Sequence, residues 1–227
     1  CRVGADGRIG GEFGRTPAWG GGGAPRTHRP GKGRPRGRGI HRRRRPGLSP
    51  ERGDRHNGVV PASVEPYRVA FVCTGNICRS PMAEIVFRDL AERRGLGAHV
   101  VSTSSGTGDW HVGEQADRRT IEALARRGYD GERHRARQFS LDDFTRNDLI
   151  VALDRSHERI LTSWARTPDD ADKLALLLAF DDAAGDTLDV PDPYYAGPEM
   201  FDDVLAMIES ASRALFRQLE PAIRPTI

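Results

Sequence analysis

The sequence predicts an α/β fold of three layers. A four-stranded parallel sheet carries helices on both faces, with a phosphate-binding loop after the first strand. Two observations predict it. From Tyr67 onward, short apolar runs alternate with amphipathic stretches of helical period, the pattern of parallel strands joined by crossover helices. The apolar run Val69-Ala70-Phe71-Val72 also leads straight into Cys73-Thr74-Gly75-Asn76-Ile77-Cys78-Arg79-Ser80-Pro81. That stretch is a compact loop between a strand and a helix, able to ring a phosphate-sized dianion with backbone N–H groups.

Residues 1–66 precede this pattern and differ from it physically. They hold 15 of the 35 Lys and Arg residues but only 5 of the 32 Asp and Glu. The segment therefore carries +10 and the remainder −7, within an overall +3. A pI of 9.0 is thus no nucleic-acid signature of the whole chain. Gly, Pro and Arg dominate, with runs at Gly20–Gly23 and Arg42–Arg45. Apolar residues are too sparse to offset the entropy of ordering, so residues 1–66 are expected to be a disordered extension and residues 67–227 the folded domain. The basic run reads as a solvated tail; a tail for nucleic acid or an acidic partner is the alternative. A third reading takes the segment as translation of GC-rich DNA upstream of the true start. The chain begins with Cys1, its first methionine is Met82, and Val60 or Val64 would serve as starts.

The elements follow in order. Arg68–Val72 is the first strand. Pro81–Arg94 is a helix, with proline in its first turn, Met82, Ile85, Val86 and Leu90 at helical spacing, and Gly95 just past its end. His99–Ser102 is the second strand. Glu114–Arg127 reads as a helix stopped by Gly128. Leu149–Leu153 is the third strand, Arg155–Ala165 a helix and Leu174–Leu178 the fourth strand. After an Asp/Gly/Pro loop comes a long amphipathic helix, Glu199–Leu219.

The loop residues each fit one electrostatic purpose. A thiol is a nucleophile only as thiolate. Cys73 stands at a strand end before a helix N-terminus, whose dipole and free amides stabilise negative charge. Arg79 adds a planar fork for two phosphate oxygens. Ser80 has a hydroxyl for the sulfur. Gly75 allows close backbone approach to an anion, and Asn76 tolerates a left-handed conformation while its amide locks the loop. Thr74, Ile77 and Cys78 complete the cradle. A leaving phenolate needs a proton. Asp192, in Val190-Pro191-Asp192-Pro193-Tyr194-Tyr195, falls after the fourth strand, at the sheet edge where α/β proteins bind ligands. Tyr194 and Tyr195 are placed to wall the pocket. Trp110, flanked by glycine and acidic residues, reads as an exposed ring.

These segments resemble a known family. CTGNICRSPMAE (73–84), SSGTGDWHVGEQAD (104–117), HRARQF (134–139), ALDRSH (152–157) and DVPDPYYAG (189–197) are similar, in this order, to the low-molecular-weight protein tyrosine phosphatases, most of all to actinobacterial members. The likeness covers about Tyr67 to Leu219. It implies that Cys73 attacks phosphorus to form a cysteinyl-phosphate, that Arg79 holds the equatorial oxygens, and that Asp192 protonates the leaving tyrosine and then activates water. It implies no metal or organic cofactor. Asn76, Ser80, Ser104 and His134 would form a polar network behind the loop, with Asp154 orienting nearby groups. Related protein-arginine phosphatases carry Thr where this chain has Ile77, an apolar wall that suits a phenyl ester. Thr74 departs from the Leu common in eukaryotic members. The resemblance also implies a reversible disulfide between Cys73 and Cys78, protecting the sulfur from over-oxidation; the bland reading of Cys78 is a small apolar filler. Tyrosine-phosphorylated proteins would be substrates, with a cognate tyrosine kinase as counterpart.

Other classes fit less well. Arsenate reduction on this fold needs a relay of later cysteines, and none follows Cys78. A nucleic-acid-binding module is disfavoured by the acidic domain. Three cysteines make no secreted disulfide framework, and no apolar run approaches the ~20 residues of a membrane span. With no signal-peptide core at the start, a cytoplasmic setting is expected; some relatives in pathogens are exported without one.

Overall fold

A computed structural model describes residues 65–186 and 188–223. The expected disorder over residues 1–66 lies, apart from Glu65 and Pro66, outside the described residues. The folded part is the expected one: four parallel strands, β1 (Tyr67–Cys73), β2 (Val100–Gly106), β3 (Leu149–Ala152) and β4 (Leu174–Leu176), in the order β2-β1-β3-β4. β1 pairs with β2 from Tyr67↔Val100 to Cys73↔Gly106 and with β3 from Val69↔Leu149 to Val72↔Ala152. The chain winds outward from β1 in one direction to β2, then in the other to β3 and β4. Ligands bind beyond the carboxyl ends of the strands at such a reversal, and Cys73 is the last residue of β1.

Alternation along β1 divides the core in two. Val69 and Phe71 face a larger core shared with helices α1 (Arg79–Arg93), α2 (Arg118–Arg126) and α6 (Pro198–Ile223). Ala70 and Val72 face a smaller one with Phe144 of α3 (Asp142–Arg146) and Leu161 of α4 (Arg155–Trp164). From Val69 to Val72 both faces of the strand are fully buried, which is why that run is continuously apolar. An aromatic ladder, Phe71–Phe87 at 5.5 Å and Phe87–Phe216 at 5.6 Å between centroids, ties β1 to α1 and α1 to α6.

The second strand, expected over His99–Ser102, runs from Val100 to Gly106 and pairs with β1 along that whole length. Three further elements differ from the sequence expectation. The second helix begins at Arg118 rather than Glu114. The Glu114 carbonyl accepts from Ala136 N–H and the Asp117 N–H donates to the Ile77 carbonyl, so this backbone is committed to neighbouring loops, and the Asp117 side chain then caps the helix. The fourth strand stops at Leu176, and Leu177–Phe180 forms a 3₁₀ turn. The turn buries Leu177 and Leu178 in one core, whereas strand alternation would send them to opposite faces. The last helix runs on to Ile223, with Pro221 in its final turn and Ile223 buried. The short helices α3 and α5 (Pro168–Asp172) are five residues each, too short to show a period; α5 is announced by its Thr167/Asp170 capping box.

Candidate active site

Cys73 ends β1 with only 3 % of its surface exposed. Its Sγ lies 3.0 Å from Ser80 Oγ. That hydroxyl also accepts from the Asn76 amide at 2.9 Å and lies 3.3 Å from the Ser105 carbonyl. Its single proton can go to the carbonyl or to the sulfur, and a charged sulfur draws it more strongly. Cys78 sits at the N-cap of α1, offers no side-chain cap, and no acidic residue occupies the first turn. Helices α2, α4 and α5 are instead capped by Asp117, Asp154 and Thr167. The helix beside the thiol thus keeps its first-turn amides free of side-chain acceptors, an arrangement suited to an anion.

Asn76 holds the loop's shape. It is fully buried with φ +56°, a left-handed conformation tolerated by asparagine. Its Nδ2 donates to Ser80 Oγ and to Ser104 Oγ, each at 2.9 Å, and its Oδ1 accepts from Arg137 N–H at 2.9 Å. Its carbonyl accepts from His134 Nε2 at 2.7 Å. The four residues expected to form a network therefore touch one another. A fifth, Glu84, was not anticipated: it accepts from Ser104 Oγ at 2.5 Å and lies 3.9 Å from His134 Nδ1. Burial lowers the His134 pKa, partly opposed by the Asn76 carbonyl and Glu84. Two glycines keep space. A Cβ at Gly75 would meet the His111 ring at 2.9 Å, so that glycine makes room for an imidazole as well as an anion. A Cβ at Gly106 would stand 2.6 Å from the Thr74 carbonyl oxygen.

Arg79 is buried and draws distant residues to the cradle. Its Nη1 donates to Asp154 Oδ2 at 2.7 Å and to the Val190 carbonyl at 3.1 Å, and its Nη2 to Asp192 Oδ2 at 2.7 Å. The guanidinium expected as an open fork is thus held between two carboxylates. Asp154 caps α4. Burial opposes its charge, but the Ser156 hydroxyl, the His157 N–H, the neighbouring imidazole and Arg79 outweigh that and hold its pKa below the usual range. His157, also unanticipated, places Nε2 2.8 Å from Thr74 Oγ1. Its Nδ1 lies 3.0 Å from Asp154 Oδ1, but that oxygen already accepts from Ser156 and from the His157 N–H, and Nδ1 makes no hydrogen bond. Burial pushes the His157 pKa down to about 4, leaving the ring neutral at pH 7.

The cavity above Cys73 has a volume of about 390 Å³ and is lined by Cys73, Arg79, Asp192, Ile77, Trp110, His111, Tyr194 and Tyr195, among others. Trp110 is 70 % exposed, folded over Gly108, and Tyr195 is 95 % exposed. The ring stack at the mouth is Tyr194 on Tyr195, edge to face at 4.9 Å. Every residue expected at the site from the loop, the Asp192 segment and Trp110 therefore borders one pocket or its supporting network. Cys78 is buried; burial, then the nearby Cys73, pushes its thiol up to about 12. His111 and His157 stand inside motifs visible in the sequence, but their contacts join positions up to 83 apart and leave no local signal.

Known proteins resemble this chain over its folded part. Residues 68–224 match the family model described as low molecular weight phosphotyrosine protein phosphatase. The chain is 57 % identical over 150 residues to a low molecular weight protein-tyrosine-phosphatase of Streptomyces coelicolor, covering 66 % of this chain and 91 % of the relative. It is 47 % identical over 148 residues to low molecular weight protein-tyrosine phosphatase A of Mycobacterium tuberculosis, covering 65 % and 88 %. Among solved structures, YfkJ of Bacillus subtilis superposes with a TM-score of 0.66 at 36 % identity, covering 70 % of this chain and 98 % of that one. A protein tyrosine phosphatase of Entamoeba histolytica gives 0.65 at 33 %, covering 69 % and 98 %.

Proposed function

The chain belongs to the low molecular weight phosphotyrosine protein phosphatase family and is a protein-tyrosine-phosphatase, and from that premise we propose that it works through a cysteinyl-phosphate. Cys73 Sγ attacks the phosphorus of a phosphotyrosine, the P–O bond to the ring breaks, and Asp192 delivers its proton to the departing phenolate. Water then attacks the phosphocysteine, Asp192 accepts its proton, and the S–P bond breaks with the Ser80 hydroxyl supporting the leaving sulfur. Free amides at the start of α1 and the Arg79 guanidinium hold the phosphoryl oxygens.

One observation carries this reading: Arg79 gathers Asp192, 113 residues downstream, into the pocket that holds the buried sulfur. Ile77 and the exposed Trp110 suit an aryl ester rather than a guanidine or alkyl phosphate. Protein phosphotyrosine made by a cognate kinase is the proposed substrate, in the cytoplasm; no helix among the described residues is long and apolar enough to cross a membrane. Oxidation belongs to the same reading. A peroxide converts the Cys73 sulfur to a sulfenic acid, and Cys78 displaces water to close a disulfide.

The test is direct. Cys73→Ser should abolish hydrolysis of phenyl phosphate while the phosphate site still binds its anion. Asp192→Ala should slow turnover about 10²–10⁴-fold, the range for a lost general acid. Full activity in either variant, or failure to trap a phosphorylated Cys73 by mass spectrometry, would refute the assignment. Peptides bearing phosphotyrosine, phosphoserine or phosphoarginine, compared by kcat/KM, check the substrate class.

A further inference from the structure

Nothing in the proposed mechanism uses Asp117 and Arg119, yet they join its two working loops. The Asp117 N–H donates to the Ile77 carbonyl at 2.8 Å, so the start of α2 is fastened to the phosphate cradle. The Asp117 carboxylate grips Arg119 at both oxygens, Oδ1 to Nε at 3.0 Å and Oδ2 to Nη2 at 2.8 Å. Arg119 then reaches across to the loop carrying the general acid. Its Nη1 donates to the Ala196 carbonyl and its Nη2 to the Tyr194 carbonyl, each at 2.9 Å. Asp192 Oδ1 accepts from the Tyr194 N–H at 3.2 Å, so the carbonyl Arg119 holds belongs to the residue that orients the acid. The guanidinium also lies 4.5 Å from the Phe201 ring centroid in α6, which fixes its plane.

We propose that Asp117 and Arg119 form a strut between the Ile77 turn of the cradle and the Tyr194–Ala196 carbonyls, setting the distance from Asp192 to the oxygen it protonates. They are positioning residues, not catalytic ones. A fork suits the task because a planar guanidinium holds a carboxylate on one edge and carbonyls on the other, and each bond constrains its angle. Angstrom-scale misplacement of a reacting group is costly in rate. The hydrogen bonds from Arg119 outweigh burial and hold the Asp117 carboxyl below its usual pKa.

The inference rests on the phosphatase reading, and leaving-group dependence separates the two. Dinitrophenolate departs without a proton; phenolate needs one. In Arg119→Ala, kcat/KM for phenyl phosphate should fall by about 10–100-fold, a fraction of what a general acid contributes, while that for 2,4-dinitrophenyl phosphate changes by less than about 3-fold. Asp117→Asn keeps the α2 cap but loosens the grip on Arg119, and should show the same split in smaller measure. An equal loss on both esters, or no loss on either, overturns the strut. If the unaltered enzyme turned over neither ester, the phosphatase reading itself would fall and the strut with it.

Discussion

Arg79 Nη2 and Asp192 Oδ2 meet at 2.7 Å, so the guanidinium that would clamp the phosphoryl group also holds the acid that would complete the reaction. In the proposed mechanism a bound dianion would compete with Asp192 for that guanidinium and, on arriving, would release the Asp192 side chain beside the leaving oxygen. The Asp192 side chain is 46 % exposed, so water screens the competition. A solvent-screened ion pair is worth up to about 1 kcal/mol net, so removing the carboxylate changes binding by roughly fivefold. Asp192→Asn should therefore bind inorganic phosphate about fivefold more tightly, measured as competitive inhibition of residual turnover. Weaker binding would show that Asp192 does not compete for Arg79.

Asn76→Ala should destabilise the domain by about 2–4 kcal/mol, from stranded buried partners and a left-handed backbone that alanine disfavours. Urea unfolding followed by circular dichroism reads it. Asn76→Gly should recover the backbone part only, because glycine adopts φ +56° freely but makes none of the amide's bonds.

Gly106→Ala should damage the cradle. The added methyl would stand 2.6 Å from the Thr74 carbonyl and 3.2 Å from Asn76 N, both backbone atoms next to the nucleophile. Neither can swing aside as a side chain tip would, so turnover of phenyl phosphate should drop by at least about tenfold, as for other sub-angstrom displacements at reacting groups. Gly95→Ala, with φ +70° but open space around it, should lower stability and leave kcat alone.

Acid should weaken the fold through His157. Its folded pKa, about 4, lies below the ordinary 6.5, so between those values the unfolded chain takes up a proton that the folded chain refuses. Stability is then complete above pH 6.5 and declines as pH falls to about 4, by up to about 3 kcal/mol from this group. His134, also lowered, adds to the decline in the same direction. Denaturant titrations at pH 7.0 and 5.0 measure it. His157→Gln should flatten the slope, and an unchanged slope would place the proton uptake elsewhere.

The sheet and the cradle were readable because their signals are local. Val69–Val72 is apolar without a break since both faces of β1 are covered, and the nine residues from Cys73 to Pro81 hold thiol, amides and arginine within one turn of chain. Asp192 was readable from its place after the last strand. What lay hidden depends on distance. Asp154 as the partner of Arg79, His157 against Thr74, Glu84 behind Ser104 and Arg119 beneath the Tyr194 loop are pairings across the fold, and nothing in their own neighbourhoods announces them. The early start expected for α2 failed for the same reason: Glu114 to Asp117 suit a helix by composition, but their backbone groups are claimed by Ala136 and Ile77.

The aromatic ladder through Phe71, Phe87 and Phe216 has a bearing on biosynthesis. Its outermost rung belongs to α6, which leaves the ribosome after every other described element. Until that helix emerges, Phe87 has Phe71 of β1 on one side but lacks Phe216 on the other, and the helix behind the turn that cups the sulfur is left half covered. A nascent chain arrested before Pro198 should therefore show no phosphatase turnover although every proposed catalytic side chain has already been synthesised. Activity would mark the arrival of α6, and a product stalled before it would be silent toward phosphotyrosine.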